Sequence, residues 1–156
     1  MIQGFVSDVQ PIKLGIISFA HINTPIYAQY LKEMRNVELV GFADDDSKRG
    51  LKAAKKLNAR FYRNYLKLLA EPIDGVIVCA ESAKHREIIE AAAKDGKHIL
   101  CEKPLSTNAE DGRRITETCR RHGVKLMVAF SFRFSPGVIR AKTMIDEGKI
   151  GEILAM

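Results

Sequence analysis

The stretch Lys13–Phe19 (KLGIISF), followed by residues 20–25 (AHINTP), decides the fold. The first part is apolar and rich in isoleucine, as the buried strands of parallel sheets are. Thr24 and Pro25 then predict the start of a helix, because proline is favoured at the first helical position. A buried strand that leads directly into a helix is the first half of a βαβ unit.

The rest of the chain repeats this alternation. Segments with apolar residues at helical spacing separate further apolar runs, and these runs are predicted strands at Val37–Ala43, Arg60–Tyr62, Gly75–Ala80, His98–Cys101 and Lys125–Phe130. Strands regularly separated by helices predict an α/β fold with a doubly wound, mostly parallel sheet of the Rossmann type. We expect this domain over residues 13–149, with residues 1–12 as a leader or an edge segment.

The chain is expected to stop just inside a second domain. Residues 150–156 (IGEILAM) predict a strand that begins at Ile150, and no later segment of this sequence could pair with it. This pattern is typical of a chain cut at a domain junction. We therefore interpret residues 150–156 as the truncated start of a C-terminal domain.

Composition indicates one soluble domain. The chain has 156 residues, of which 46% are hydrophobic and 28% charged, and its net charge is +6. No apolar run approaches the roughly 20 residues that span a bilayer, and the first dozen residues do not resemble a secretory signal. We therefore expect a cytoplasmic protein without membrane contact. The basic residues fall on polar helix faces, so no nucleic-acid partner is expected.

The three cysteines predict free thiols. Cys79, Cys101 and Cys119 form no CxxC pair and no cluster with metal-ligand spacing, so neither a disulfide nor a metal site is expected. No base that could activate a nucleophilic thiol is evident beside any of them.

The first turn after a strand is where a doubly wound sheet holds a dinucleotide. Its pattern is G-x-G-x-x-G, because glycines let the backbone amides approach the pyrophosphate. Here the aligned stretch is residues 18–23 (SFAHIN), and none of the three glycine positions holds glycine. The replacements are small or tolerant of unusual dihedral angles, so the turn could keep its shape. The candidate cofactor-binding residues are Ser18, Phe19, Ala20, His21 and Ile22.

Asp44 is a further candidate cofactor-binding residue. It ends the second predicted strand, 21 residues after Asn23, where an acid can accept hydrogen bonds from the adenosine ribose. Asp44 and Asp45 would repel a 2′-phosphate and favour NAD over NADP, although Lys48 and Arg49 weaken this preference. A cluster of acids at a helix start, with Ser47 as the cap, is the alternative explanation.

Lys103 is the candidate catalytic residue. It lies in residues 101–105 (CEKPL), directly after a predicted strand, and it precedes a proline that biases it towards an extended backbone. A lysine at the carboxyl end of a strand can hydrogen-bond a substrate hydroxyl and stabilise the alkoxide that forms as hydride leaves. A lysine in a surface turn is the alternative.

These motifs together resemble the Gfo/Idh/MocA family, the relatives of glucose–fructose oxidoreductase and inositol dehydrogenase. The similarity covers residues 13–156 and rests on KLGII, DGVIV, AAKDGKHILCEKPL, VKLMVAF with RFSP, and GKIGEI. It implies a nicotinamide-dependent oxidoreductase acting on a sugar, a polyol or a related hydroxy compound. It also implies that Glu102 and Arg133 lie near the nicotinamide and that Lys103 touches the reacting hydroxyl.

The resemblance implies a second domain that supplies most substrate contacts and the interface of a homo-oligomer. This fragment alone would therefore be inactive. The lost glycines, and Glu81 near the cofactor, leave open a non-catalytic nucleotide-binding or regulatory module. His85 matches a family histidine, but it lies on an apolar helix face, so a packed structural role is at least as well supported as a site role.

Overall fold

Six strands of the described residues, 10–155, pair in parallel into one sheet. The computed structural model places them as β1 (Ile12–Ile17), β2 (Val37–Ala43), β3 (Arg60–Tyr62), β4 (Gly75–Val78), β5 (His98–Cys101) and β6 (Leu126–Val128). Their order across the sheet is β3-β2-β1-β4-β5-β6, and each neighbouring pair is parallel. The predicted doubly wound sheet is confirmed.

Helices connect the strands and cover both faces of the sheet. They are α1 (Thr24–Glu33), α2 (Ser47–Leu57), α3 (Tyr65–Leu69), α4 (His85–Lys94), α5 (Ala109–Arg121) and α6 (Pro136–Asp146), with short 3₁₀ turns at Ser82–Lys84 and Ser131–Phe134. As predicted, α1 starts at Thr24 with Pro25 in its first turn. None of the helices within residues 10–155 is long and apolar enough to cross a bilayer.

Two apolar cores hold these layers together. On one face, Ile16 and Phe42 of the sheet pack with Ala28 and Leu31 of α1. On the other face, side chains of α3, α4 and α5 pack against the sheet around the fully buried Val78.

A glycine sets the distance between α2 and the sheet. A Cβ atom on Gly50 would lie 2.2 Å from the ring of Phe61 in β3. A larger residue at position 50 would therefore push α2 away from the sheet.

Several predicted boundaries are wrong by one or two residues. The strand predicted to reach Phe19 ends at Ile17, and the strand predicted to reach Ala80 ends at Val78, because the chain turns away from the sheet at these points. The cap of α2 is Asp46 rather than Ser47, since the Asp46 carboxylate accepts hydrogen bonds from the amides of residues 48 and 49.

The strand predicted from Ile150 is also wrong for the residues that the structure describes. Residues 151–155 are not in a strand. A strand needs a neighbour to satisfy its backbone groups, and no described strand lies beside this segment. Residue 156 and most of the predicted leader, residues 1–9, lie outside the described part of the chain, and Ile12 already belongs to β1.

The strand order places a crevice between β1 and β4. From β1 the chain winds towards β2 and β3, whereas from β4 it winds towards β5 and β6. The loops that leave the carboxyl ends of β1 and β4 therefore diverge. Open α/β sheets bind ligands at this point.

Candidate functional site

A cleft of about 780 Å³ opens at the carboxyl ends of β1 to β4. Loops after four different strands line it, and its polar lining includes Ser18, Asp44, Asp45, Glu81 and Lys84. Its size is within the range of small-molecule and cofactor sites. This cleft contains the crevice between β1 and β4, so it is the primary candidate site.

The turn after β1 keeps the backbone shape of a glycine turn without its glycines. Ser18, at the first glycine position of the pattern, has φ of +72°, a left-handed conformation that glycine adopts far more readily. Its side chain partly compensates, because Ser18 Oγ accepts a hydrogen bond of 3.1 Å from the amide of Ala20. Ser18 therefore preserves the shape of the turn, but its side chain occupies the amide of Ala20, which is then not available to a ligand.

Phe19 fixes the turn to the rest of the domain. Its amide donates a 2.8 Å hydrogen bond to Asp44 Oδ2, and its ring packs edge-on against Phe42 with centroids 4.8 Å apart. The Phe19 side chain is therefore a packing element, and its amide is already engaged.

The remaining amides of the turn are mostly engaged as well. The amide of His21 donates to the backbone oxygen of Cys79 at 3.1 Å, and the amide of Asn23 donates to His21 Nδ1 at 3.3 Å. The amide of Ile22 has no hydrogen-bond partner within residues 10–155. An anion at this turn would therefore find fewer free amides than a glycine turn provides.

Asp44 is buried and fully hydrogen-bonded. Its side chain accepts from the amides of Phe19 and Asp46, and it forms a two-pronged ion pair with Arg49, with Nε and Nη2 each at 2.8 Å. A carboxylate has about four lone-pair sites, so these four donors occupy them. Asp44 can accept a ribose hydroxyl only if Arg49 withdraws, and sequence reasoning had named Arg49 only as a nearby charge.

A second ion-pair group crosses the outer part of the cleft. Lys84 Nζ lies 2.7 Å from Asp45 Oδ2 and 3.1 Å from Glu81 Oε2, joining the loops after β2 and β4. The hydrogen bond from Lys84 lowers the pKa of Asp45. Lys84 also offsets the charge of Glu81, the residue that had favoured a non-catalytic module.

Lys103 lies directly after β5, one strand further from the crevice. Its side chain is exposed, and its ammonium makes no hydrogen bond or ion pair with the described residues. Its amide donates a 3.0 Å hydrogen bond to Glu102 Oε2. The loop thus presents an ammonium group at the carboxyl edge of the sheet, as the sequence predicts.

Glu102 connects the Lys103 loop to the turn after β1. Its carboxylate is buried, and Oε1 accepts from Tyr27 Oη at 2.8 Å and from Asn23 Nδ2 at 3.2 Å, with His21 Nδ1 at 3.3 Å. Burial alone would raise the pKa of Glu102, but hydrogen bonds from Tyr27, Asn23 and the Lys103 amide outweigh it and lower that pKa. Sequence reasoning missed Tyr27, which is 75 residues from Glu102 and has no local pattern that could reveal the pairing.

His85 is buried inside the domain and contacts the loops after β4 and β5. It is 1% exposed. Its Nε2 lies 3.0 Å from the backbone oxygen of Ala80, and its Nδ1 lies 3.0 Å from that of Pro104. The structural interpretation of His85 is therefore the one that its surroundings favour.

The other predicted residues do not lie together in one site. Arg133 is exposed on the short 3₁₀ turn after β6 and does not line the cleft. Cys79, Cys101 and Cys119 are buried free thiols, as predicted. Burial raises the pKa values of Cys79 and Cys101 to about 12, which keeps both thiols protonated and unsuited to nucleophilic attack.

Comparison with known families gives this geometry its context. Residues 12–130 match the family model of the oxidoreductases with an NAD-binding Rossmann fold. The chain belongs to the Gfo/Idh/MocA family. The resemblance drawn from the sequence motifs is confirmed, as is the fold class.

Individual relatives include enzymes of polyol and sugar chemistry. The chain is 32% identical over 143 residues to myo-inositol 2-dehydrogenase of Thermotoga maritima, covering 90% of this chain and 42% of that protein. It superposes on apo scyllo-inositol dehydrogenase of Lactobacillus casei with a TM-score of 0.85 and 26% identity, covering 93% and 44% of the two chains.

A third relative was solved with a bound cofactor. It is a 3-ketoreductase from Actinomadura kijaniata in complex with NADP, with a TM-score of 0.81, 31% identity and coverage of 92% and 45% of the two chains. The chain thus spans less than half the length of these relatives. The comparisons favour the oxidoreductase hypothesis and give no support to the non-catalytic module.

Proposed function

We propose that this domain binds a nicotinamide dinucleotide across the carboxyl ends of β1, β2 and β4. In the complete protein, it transfers hydride between that cofactor and a hydroxyl-bearing carbon of a sugar, a polyol or a related compound. The observation that carries this proposal is the exposed Lys103 directly after β5, one strand away from a cleft of cofactor size at the same edge of the sheet. The polyol dehydrogenases among its relatives support the substrate class.

Lys103 is the group that acts on the substrate in this proposal. Its ammonium donates a hydrogen bond to the reacting oxygen and stabilises the alkoxide character that develops as the carbon loses hydride. The nicotinamide supplies the hydride acceptor or donor when it is bound. The bond from the Lys103 amide to the buried Glu102 fixes the start of the loop, so the ammonium is held at the edge of the sheet.

The turn after β1 provides the pyrophosphate contacts in the same proposal. Ser18, Phe19, Ala20, His21 and Ile22 form this turn at the start of α1, where backbone amides and the helix dipole favour an anion. The amide of Ile22, which has no partner among residues 10–155, fits this role, and the engaged amides of its neighbours limit it. Glu102 and Arg133, which follow β5 and β6, are the residues that would lie near the nicotinamide.

We propose NAD as the preferred cofactor, with a modest margin over NADP. Asp44 and Asp45 present carboxylates where a 2′-phosphate would have to lie. Arg49 and Lys84 neutralise part of that charge through their ion pairs. The remaining repulsion therefore supports a preference of about tenfold rather than strict exclusion.

Two proposals concern the complete protein. The three free cysteines support a reducing, cytoplasmic location. We also propose that a second domain carries most substrate contacts and forms the interface of a homo-oligomer, as the family resemblance implies. Mass photometry of the complete protein against this domain tests the second proposal, which predicts an oligomer for the former and a monomer for the latter.

A fluorescence titration tests cofactor binding directly. Adding the chain to NADH should give a saturable change in nicotinamide emission, and competition with NADPH should require a higher concentration. Adenosine alone is the control for binding at the outer part of the cleft. A linear response to protein, without saturation for either dinucleotide, would contradict the proposal.

A further inference from the structure

Within residues 10–155, no lysine or arginine lies within ion-pairing distance of the buried carboxylate of Glu102. Its side chain is 2% exposed, and a buried carboxylate is costly unless a charge or several donors stabilise it. Tyr27 and Asn23 are neutral donors. Among residues 10–155, the basic side chain within ion-pairing distance is that of His21, whose Nδ1 lies 3.3 Å from Glu102 Oε1.

His21 Nδ1 faces two groups that require opposite protonation states. The amide of Asn23 points at it from 3.3 Å and can donate only to an unprotonated nitrogen. The oxygen of Glu102, at the same distance, can accept only from a protonated one. His21 Nδ1 therefore either accepts from the Asn23 amide, when it carries no proton, or donates to Glu102, as the Nδ1–H neutral tautomer or as the imidazolium. Of these two donating forms, the imidazolium is the one that the buried negative charge of Glu102 stabilises.

Protonation of His21 changes the turn in two ways that both favour an anion. It adds a positive charge to a ring that is 22% exposed, next to the start of α1. It also releases the amide of Asn23, which lies beside the unengaged amide of Ile22. Two consecutive amides then become free at a helix N-terminus, where a phosphate is stabilised.

We propose that His21 takes up a proton when the dinucleotide binds, and that its imidazolium and the amides of Ile22 and Asn23 hold the pyrophosphate in place of glycine-turn amides. This inference rests on the cofactor site proposed above and specifies how a turn without glycines serves it. The proton comes from solvent. Glu102 stabilises the imidazolium and positions it.

The other titratable groups around His21 keep their charge state near neutral pH. The hydrogen bonds that lower the pKa of Glu102 keep it ionised, while burial and the bond to Glu102 raise the pKa of Tyr27. Cys79, whose backbone oxygen accepts from the His21 amide, stays protonated because burial raises its pKa. Lys103 follows Glu102 directly in the chain.

Calorimetry of NADH binding tests the proton uptake. We expect affinity to fall about five- to tenfold between about pH 6 and pH 8, the range over which histidines lose their charge. At pH 7, the apparent enthalpy should differ between Pipes and Tris buffers by an amount that corresponds to net proton uptake. NADH is the suitable probe because its pyrophosphate stays ionised, whereas a phosphate monoester such as that of NADPH titrates near pH 6.

Two variants at position 21 separate charge from shape. His21→Gln should bind NADH weakly at both pH values and take up no proton. His21→Lys should bind at both pH values with little pH dependence, because its charge persists. His122→Gln is the matched control, since His122 is an exposed histidine at the C-terminal cap of α5, and it should behave as the unmodified chain does.

The outcomes distinguish this inference from the proposed function. Saturable NADH binding without proton uptake and with equal affinity at both pH values would overturn the role of His21 and leave the cofactor site standing. Retention of the pH dependence in His21→Gln would overturn it too. No saturable binding of NADH at either pH would instead contradict the cofactor site itself.

Discussion

The turn after β1 and the loop after β5 show opposite relations between sequence and structure. The turn has none of the glycines of its pattern, yet Ser18 adopts the left-handed backbone that a glycine would have taken. The loop keeps a recognisable Glu-Lys-Pro sequence, and Lys103 stands at the edge of the sheet as that sequence predicts. Glu102 joins the two regions through Tyr27 and Asn23.

This difference separates two requirements of a cofactor site. A backbone turn can keep its shape while its residue types change, because side-chain hydrogen bonds can hold it. In this turn, Ser18 Oγ accepts from the amide of Ala20 and the Asp44 carboxylate accepts from the amide of Phe19. A reacting group cannot be replaced in this way, since its chemistry belongs to one side chain. Substitutions in the two regions should therefore have effects of different kinds as well as of different magnitudes.

The largest effect is expected at Lys103. In the complete protein, Lys103→Met should lower kcat by about 10³-fold, because the alkoxide loses its hydrogen-bond donor. The Kd for NADH should change by less than about threefold, since Lys103 has no role in binding the dinucleotide here. Steady-state kinetics and NADH titration check the two values. A Lys103→Met protein with near-normal kcat would show that this loop is only structural.

The next effect is on folding and concerns Glu102. Glu102→Gln should destabilise the domain by about 2 kcal/mol at pH 7, because an amide presents a donor where the Lys103 amide already donates. Urea unfolding measures the change. Glu117→Gln, at an exposed position on α5, is the matched control and should stay within about 0.5 kcal/mol.

The Glu102 effect should also depend on pH. The folded-state pKa of Glu102 is lowered, so its ionised form contributes stability above the unfolded value of about 4.3, and that contribution is lost as pH falls through the folded value. The difference between the unmodified chain and Glu102→Gln should therefore shrink from pH 7 to about pH 3.5. A constant difference over this range would argue against a charged Glu102.

Local sequence patterns predicted the elements well and the site connections poorly. Val37–Ala43 and His98–Cys101 are predictable because a short apolar run between helices has no other stable place than a buried parallel strand. The ion pair of Asp44 with Arg49 and the bonds of Glu102 depend on side-chain directions and on residues up to 79 positions apart. No local periodicity encodes such pairs.

A smaller effect is expected on cofactor choice at Asp45. Its carboxylate is 62% exposed, so its repulsion of a 2′-phosphate is partly screened. Asp45→Asn should shift the ratio of NADPH to NADH affinity about three- to fivefold towards NADPH. Competition titrations measure the ratio, with Asp95→Asn, an exposed aspartate at the end of α4, as the control. An unchanged ratio would show that Asp45 does not contribute to the choice between NADH and NADPH.

The smallest effect is expected at Ser18. Ser18→Gly relieves a left-handed backbone and frees the Ala20 amide for phosphate, so NADH should bind about threefold more tightly. Stability should change by less than about 1 kcal/mol, because relieved strain and a lost hydrogen bond oppose each other. Asn58→Gly is the matched control, since Asn58 is also left-handed but caps α2. Weaker NADH binding in Ser18→Gly would indicate that the serine itself contacts the cofactor.

The central claim is that a turn without glycines still holds a dinucleotide at the crevice between β1 and β4. Amide chemical shifts of the labelled chain, recorded as NADH is added, test it most directly. The account predicts saturable shifts that are largest at Ile22 and Asn23, and also present at Asp45 and Glu81. Shifts confined to the groove between α1 and α2, which Pro25, Gln29 and Lys52 line, or no saturable shift at all, would contradict it.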